Sequence, residues 1–337
     1  MQGKKVLPSY AGITTFFRTP LKKIEEITPS DVVVAGIPFD TTGGARVGAR
    51  FAPQAIRESS VHLRYYTESS PGNRLMNIDT GQFFAIPPVD TLFDIGDFQV
   101  YPADVQRTDA AIAESVAEAV ERAKFLAIIG GDHYITFPAV RGFIEGLTRK
   151  RGRNLQDVRI GYIHLDGHFD LAGENYLFGE NFHGSTARLI AGLPNVSLEN
   201  MVWVGPKGYV REEQAKFIKE NNLKYFTATL IKKTGIKEVV RQSLEIAARG
   251  TDAVYVSIDI DIVDVSEAPG ASAIQFGGIS AVDLMDAVHI LKESKQVGAM
   301  DFVEVAPGYD SSGRTQRLAA TALFDWLSAI TADEGRV

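Results

Sequence analysis

The sequence predicts an α/β fold in which a largely parallel sheet is covered by helices on both faces, and two observations carry that expectation. Short β-branched runs recur along the chain, and amphipathic stretches with apolar residues at three- and four-residue spacing separate them. No Pro/Gly/Ser-rich linker, low-complexity block or internal repeat divides the 337 residues. A single domain over residues 1–337 is therefore expected, with an N-terminal extension of about 30 residues ahead of the first strand.

Taken in order, strands are expected at DVVVAGI from Asp31, TLFDIGD from Thr91, KFLAIIGG from Lys124 and VRIGYIHLD from Val158. MVWVG from Met201, DAVYVSIDID from Asp252 and AMDFVEV from Ala299 follow, with an eighth run near LKYFTAT from Leu223. These runs are rich in Val, Ile and aromatic residues, as strands of a buried sheet are. Between them PADVQRTDAAIAESVAEAVERA, from Pro102, keeps the apolar period of an amphipathic helix. SAVDLMDAV signals a helix start: Ser280 and Asp283 form a capping box, with Asp in place of Glu.

Hydrophobic residues make up 45% and charged residues 23% of the chain, which allows a sizeable core. The net charge of -7 argues against the basic footprint of a nucleic-acid binder and suits a cationic small molecule. With no cysteine, disulfide scaffolds, thiolate nucleophiles and Cys-rich zinc sites are excluded, so any metal must be held by His and carboxylate. MQGKKVLPSY carries no apolar run of signal-peptide length, and no segment reaches the roughly 18 apolar residues of a membrane span. A cytoplasmic protein without membrane contact is expected.

In an open α/β sheet, ligands bind beyond the carboxyl ends of the strands. AIIGGDH ends in Asp132 and His133, and GYIHLDGHFD in Asp166, His168 and Asp170. VYVSIDIDIVD ends in Asp259, Asp261 and Asp264, and DFVEV reaches Glu304. Side chains alternate along a strand, which puts Asp166, His168 and Asp170 on one face and Asp259 with Asp261 on another. A lone Asp or His at a strand end is usually a loop cap, whereas His133, Asp166, His168, Asp170, Asp259 and Asp261 together form a matched ligand list. Grouped carboxylates repel and force protons back on unless cations compensate. Two divalent ions about 3.5–4 Å apart remove that cost and lower the pKa of a shared water towards neutrality. Nitrogen and oxygen ligands without sulfur favour Mn²⁺, with Ni²⁺, Co²⁺ and Zn²⁺ as alternatives.

The stretches YAGITTFFRTP, GARVGARFAPQAIR, FDIGD, GGDH, DGHFD, HGSTAR, SIDIDIVD, APG…GGIS and DFVEVAPGYD follow one another from end to end. On them the sequence resembles the ureohydrolase family, which includes arginase, agmatinase and guanidinobutyrase, and YAGITTFFRTP is more similar to agmatinase-type members. The resemblance implies a three-layer α/β/α fold around a mainly parallel, eight-stranded sheet, and a binuclear manganese centre with Ni²⁺ as runner-up. It implies one metal on His133, Asp166, Asp170 and Asp259 and the other on Asp166, His168, Asp259 and Asp261. A hydroxide between the metals would attack the guanidinium carbon of a small guanidino substrate, and the tetrahedral intermediate would collapse to urea and an amine. His183, in NFHGSTAR, matches the family histidine that moves protons. Glu304 would pair with the guanidinium, and Asp170 would also orient the hydroxide. Homo-oligomers, trimers or hexamers, are implied too.

Four departures from the family pattern bear on the substrate. Gly167 stands where Ala is usual, relieving crowding behind the metals. Tyr134 follows GGDH where Ser is common, placing a phenol close to the metal site. The segment IVDVSEAPGASAIQFGG lacks the usual Pro after Asp264 and the Thr-Gly-Thr-Pro after APG. LAGENYLFGENF, from Leu171, is rich in aromatics and acids. Tyr176, Phe178 and Phe182 would line a pocket for a small or N-alkylated guanidine, whereas Glu174 or Glu180 would suit a cationic tail; packing of the aromatics against the domain is the alternative.

Two further readings stand beside guanidine hydrolysis. The same metals could cleave another linear amidine, such as a formimino group, or an acetylated amine, although Glu304 favours a guanidinium over an acetamide. A non-catalytic subunit of a hetero-oligomer is the other; the six ligands with His183 and Glu304 speak against it, because four mutually repelling carboxylates serve no purpose without chemistry to perform.

Overall fold

The protein is described here from a computed structural model covering residues 11–64, 74–76, 78, 83–85 and 91–332. The N-terminal extension is thus described from Ala11, and residues 1–10 and 333–337 lie outside the described residues. All eight expected runs form strands, and each lies where short β-branched segments are flanked by turns. The strands are β1 (Val32–Gly36), β2 (Arg74–Met76), β3 (Phe83–Ala85), β4 (Leu92–Asp97) and β5 (Phe125–Ile129). They continue as β6 (Ile160–Leu165), β7 (Val196–Gly205), β8 (Lys224–Thr227), β9 (Ala253–Asp259) and β10 (Val297–Val303). β2 and β3, which were not expected, pair antiparallel as a separate small sheet.

The main sheet has eight strands in the order β4-β1-β5-β10-β9-β6-β7-β8, and every pairing in it is parallel. Parallel strands need crossovers that place helices on the faces, so the central strands should be apolar on both sides. β1, β5, β6 and β9 are indeed buried at every position.

Alternation along the strands divides the interior into two layers. Val34, Ala127, Leu165, Val256 and Phe302 face helices Ala52–Ser60, Ile236–Ala248, Ala281–Leu291 and Arg314–Ala332. Val33, Leu126, Tyr162, Tyr255 and Val303 face helices Val105–Arg122, Thr136–Arg151 and Thr186–Ala191. This is a three-layer α/β/α architecture. The helix starts follow the sequence signals: the Asp104 side chain accepts from Arg107 N at 3.0 Å, and Ser280 and Asp283 form the expected reciprocal box. Among the described residues no helix is long and apolar enough to cross a membrane.

The order of the strands positions the site. After β5 the chain skips two places to β6, runs out to the edge at β8, and returns to fill the gap with β9 and β10. The four central neighbours β5, β10, β9 and β6 therefore present their carboxyl ends side by side.

Candidate metal centre

Each of those four ends delivers a chemically active side chain. β5 is followed by the 3-10 turn His133–Ile135, β6 by Asp166, His168 and Asp170, β9 by Asp259 and Asp261, and β10 by Glu304. Two of these residues adopt positive φ, Asp170 at 49° and Glu304 at 64°. Such conformations cost about 1 kcal/mol or more in non-glycine residues and persist where the surroundings hold them. Glu304 is held: its N–H donates to Gly131 O at 2.8 Å, and its carbonyl accepts from Ser272 N at 3.3 Å. A Cβ on Gly131 would meet the Phe39 carbonyl oxygen, so only glycine lets this loop close on the site.

The imidazole of His133 is buried, and its Nδ1 lies 3.1 Å from Asp166 Oδ2, 3.2 Å from Asp170 Oδ2 and 3.2 Å from Asp259 Oδ2. Its Nε2 is 2.9 Å from Ser257 Oγ, and Ser257 donates in turn to Asp301 Oδ1 at 2.6 Å. Tyr255 OH donates to Asp301 Oδ2 at 2.8 Å. With the Ser257 proton committed to Asp301, Ser257 Oγ accepts from Nε2–H, and Nδ1 turns a lone pair towards three carboxylates. His164, Ser257 and Asp301 are register partners on adjacent strands, so this relay is built into the sheet.

The second cluster is Asp166, His168 and Asp261. His168 Nδ1 lies 3.0 Å from Asp261 Oδ2 and 3.4 Å from Asp166 Oδ1. Asp259 bears on both groups, one oxygen near His133 Nδ1 and the other accepting from Asp261 N at 2.8 Å.

The electrostatics are those of a site built for cations. Burial, then the neighbouring Asp261 and Asp166, raise Asp259 far above the ordinary carboxylate range. Burial and Asp166 push Asp170 up to about 7. Burial alone would lower His168, but Asp261 and Asp166 carry it up to about 12. Asp166 Oδ2, Asp261 Oδ2 and His164 Nε2 are buried and make no hydrogen bond of normal geometry. His164 Nε2 does lie 2.9 Å from Asp166 Oδ2, but the ring is misaligned for a bond. Buried acceptors facing other acceptors are costly, and divalent cations with oxygen and nitrogen ligands resolve the conflict. The residues present fit two such ions.

His183 opens the 3-10 turn His183–Ser185 beside this cluster. Its Nδ1 is 2.9 Å from Glu304 Oε1, and its Nε2 accepts from Gly44 N at 2.9 Å. Burial would lower its pKa, but Glu304 raises it to about 9. Glu304 is itself lowered, since the charge of His183 and hydrogen bonding outweigh burial. Oε1 also accepts from His133 N at 2.8 Å, whereas Oε2 makes no hydrogen bond of normal geometry.

The substrate-wall expectations divide. Phe178 stacks on Phe182 with ring centroids 5.4 Å apart, close to Gly44 and His183. Tyr176 points into solvent at the tip of the Asn175–Gly179 turn, and Glu174 and Glu180 are exposed. Tyr134 does not put its phenol at the metal site. Its ring packs in the helix-side core beside Phe137, because the 3-10 turn that aims His133 inward rotates the next residue away. At Gly167 the space that a Cβ would take is filled by the Lys207 ammonium, which donates to Asp261 O at 2.6 Å.

His164 was not among the expected site residues. It continues the every-second-residue spacing of Asp166, His168 and Asp170, stacks on His133 at 4.6 Å, and hydrogen-bonds Tyr162 OH through Nδ1 at 2.9 Å. Burial lowers it to about 4, which keeps it neutral. Ser257, Asp301 and Gln275 were missed too; in sequence they resemble ordinary strand and loop residues.

Comparison with known proteins agrees with this geometry. A profile of the arginase family matches residues 30–328. The chain is 27% identical to a guanidinobutyrase of Pseudomonas aeruginosa over 334 residues, covering 97% of this chain and 95% of that one. It is 31% identical to an agmatinase of Bacillus subtilis over 300 residues, covering 88% and 91%. The solved structure of proclavaminate amidino hydrolase from Streptomyces clavuligerus superposes with a TM-score of 0.77 at 25% identity, covering 97% of this chain and 99% of that one.

Proposed function

The chain belongs to the arginase family, and from that premise we propose that it hydrolyses a linear guanidino compound to urea and an amine, using two divalent ions. One observation carries the reading: four adjacent strand ends converge on a ligand cluster flanked by the His183–Glu304 pair. His133, Asp166, Asp170 and Asp259 would hold one ion, and Asp166, His168, Asp259 and Asp261 the other. When bound, the pair supplies a water activated for attack near neutral pH. Mn²⁺ suits the donor set, and Ni²⁺ is the alternative because it binds the same donors more tightly.

The remaining steps belong to side chains of the protein. Glu304 Oε2 accepts guanidinium N–H groups and fixes the plane of the substrate, while Oε1 stays bound to His183 and the His133 amide. Burial would lower the pKa of His183, but Glu304 raises it to about 9, so the ring takes up a second proton and passes it from Nε2 to the departing amine, while Nδ1–H stays on Glu304. Asp170, besides holding the first ion, would orient the attacking water. Phe178 and Phe182 cover His183 with apolar surface and limit the access of bulk water.

The same aromatic pair supports a small or N-alkylated guanidine, since Glu174, Glu180 and Tyr176 face solvent. The test is urea release by protein loaded separately with Mn²⁺ and Ni²⁺. Substrates are agmatine, guanidinobutyrate, guanidinopropionate, arginine, free guanidine and N-alkylated guanidines. Urea from a small guanidine is the expected result. Agmatine as clearly the best substrate would overturn the small-guanidine reading, and no urea from any compound with two ions bound would overturn guanidine hydrolysis itself.

A further inference from the structure

The imidazoles of His133 and His168 differ in what holds them. His133 is enclosed, and its far nitrogen is fixed by the buried Ser257–Asp301 relay. His168 is 30% exposed, and its far nitrogen is met by Gln275, whose amide Nε2 lies 2.6 Å from His168 Nε2. Gln275 comes from the Ala271–Gly278 segment, the stretch that departs from the family pattern.

We propose that Gln275 is a positioning residue for His168: it accepts the proton of His168 Nε2, fixes that tautomer, and leaves Nδ1 free for the second cation. The inference rests on the two-ion reading above. An amide presents either end, and only its carbonyl oxygen complements an Nε2–H, so the amide oxygen belongs at this contact. With Nε2 protonated, Nδ1 keeps its lone pair towards Asp261 and Asp166, matching what Ser257 does for His133.

The surroundings present Gln275 to that contact. Its segment is braced at one end by Arg46, which donates to the Ala271 and Ser272 carbonyls. At the other end Asp264 Oδ2 accepts from Gly277 N at 2.7 Å and Gly278 N at 3.2 Å. From the far side, Gly208 at φ 76° leaves the space the amide occupies: a Cβ there would come within 2.8 Å of the end of the amide that faces away from His168. A segment that has lost the usual substrate-wall residues thus supports the metal position instead.

The experiment compares wild type with Gln275→Leu, which removes the acceptor, and Gln275→Glu, which keeps one. Metal-free full-length protein is titrated with Mn²⁺ by calorimetry, and the spin coupling of the ion pair is read by electron paramagnetic resonance. Wild type is expected to take up two ions and give a coupled spectrum. Gln275→Leu is expected to bind the second ion about 10–100-fold more weakly and to show an uncoupled signal at one equivalent. Gln275→Glu should restore both within a few-fold. Wild-type affinity in Gln275→Leu, or equal losses in both variants, would overturn the role. Failure of wild type to bind a second ion would overturn the two-ion reading and the inference with it.

Discussion

Glu304 ties the proton-carrying histidine to the metal cluster: it is buried at positive φ, binds the His133 amide, and anchors His183. His183 is the test of that arrangement, because its role depends on titrating while its packing does not. His183→Asn keeps a polar group beside Glu304 but cannot carry a proton, so kcat should fall about 10²–10⁴-fold with little change in KM. Steady-state urea release measures both, and a change confined to KM would assign His183 to binding alone. At this scale the sequence disclosed the ligands because period-2 spacing is a local signal, visible in Asp166, His168 and Asp170. It did not disclose where Tyr134 turns, since a single 3-10 turn decides that, nor the partnership of His133 with Ser257, which lies 124 positions away.

Helix ends were legible as elements for the same local reason. Ser280 donates and accepts within its own first turn, bonding Asp283 N at 3.0 Å, and the box recognised in sequence forms in the structure. Ser280→Ala should cost about 1 kcal/mol in denaturant unfolding, with the slope unchanged. The start of the last helix is less apparent in sequence. Asp310, four residues ahead of Arg314, accepts from Ser312 N and Oγ and from Thr315 N and Oγ. Burial would raise its pKa, but these bonds hold it at about 2, against an ordinary value near 3.8. A lowered carboxylate stabilises the fold fully above the unfolded pKa, and the contribution is lost as pH falls through the folded one. Asp310→Asn should therefore be less stable by about 2 kcal/mol at pH 6. The gap to wild type should close between pH 4 and pH 2, read by denaturant unfolding of both metal-free proteins. A gap constant with pH would mean that the charge of Asp310 contributes nothing.

For the whole molecule, the sequence showed eight strands and a rim of acids, but not their order. Every strand has the same local pattern, so nothing local states that β9 and β10 enter between β5 and β6. That insertion is decided by tertiary packing, and it makes the site, because His133, Glu304, Asp259 and Asp166 become neighbours only through it. The consequence is that the centre of the fold carries its least favourable electrostatics: Asp166, Asp259 and Asp261 are buried together. Cations bound there join three strand ends, those of β5, β6 and β9, from distant parts of the chain, and their binding energy adds to folding stability by mass action. Chelation should lower the melting temperature by several degrees, and one equivalent of Mn²⁺ or Ni²⁺ should restore only part of it. Because ligands bind metal in their deprotonated forms, uptake must also release protons. Metal-induced stabilisation should accordingly shrink as pH falls from 8 to 5. Calorimetric titrations in buffers of different ionisation enthalpy would count the protons. Uptake without proton release, or a melting temperature indifferent to chelator, would mean that the buried carboxylates are neutralised by something other than metal.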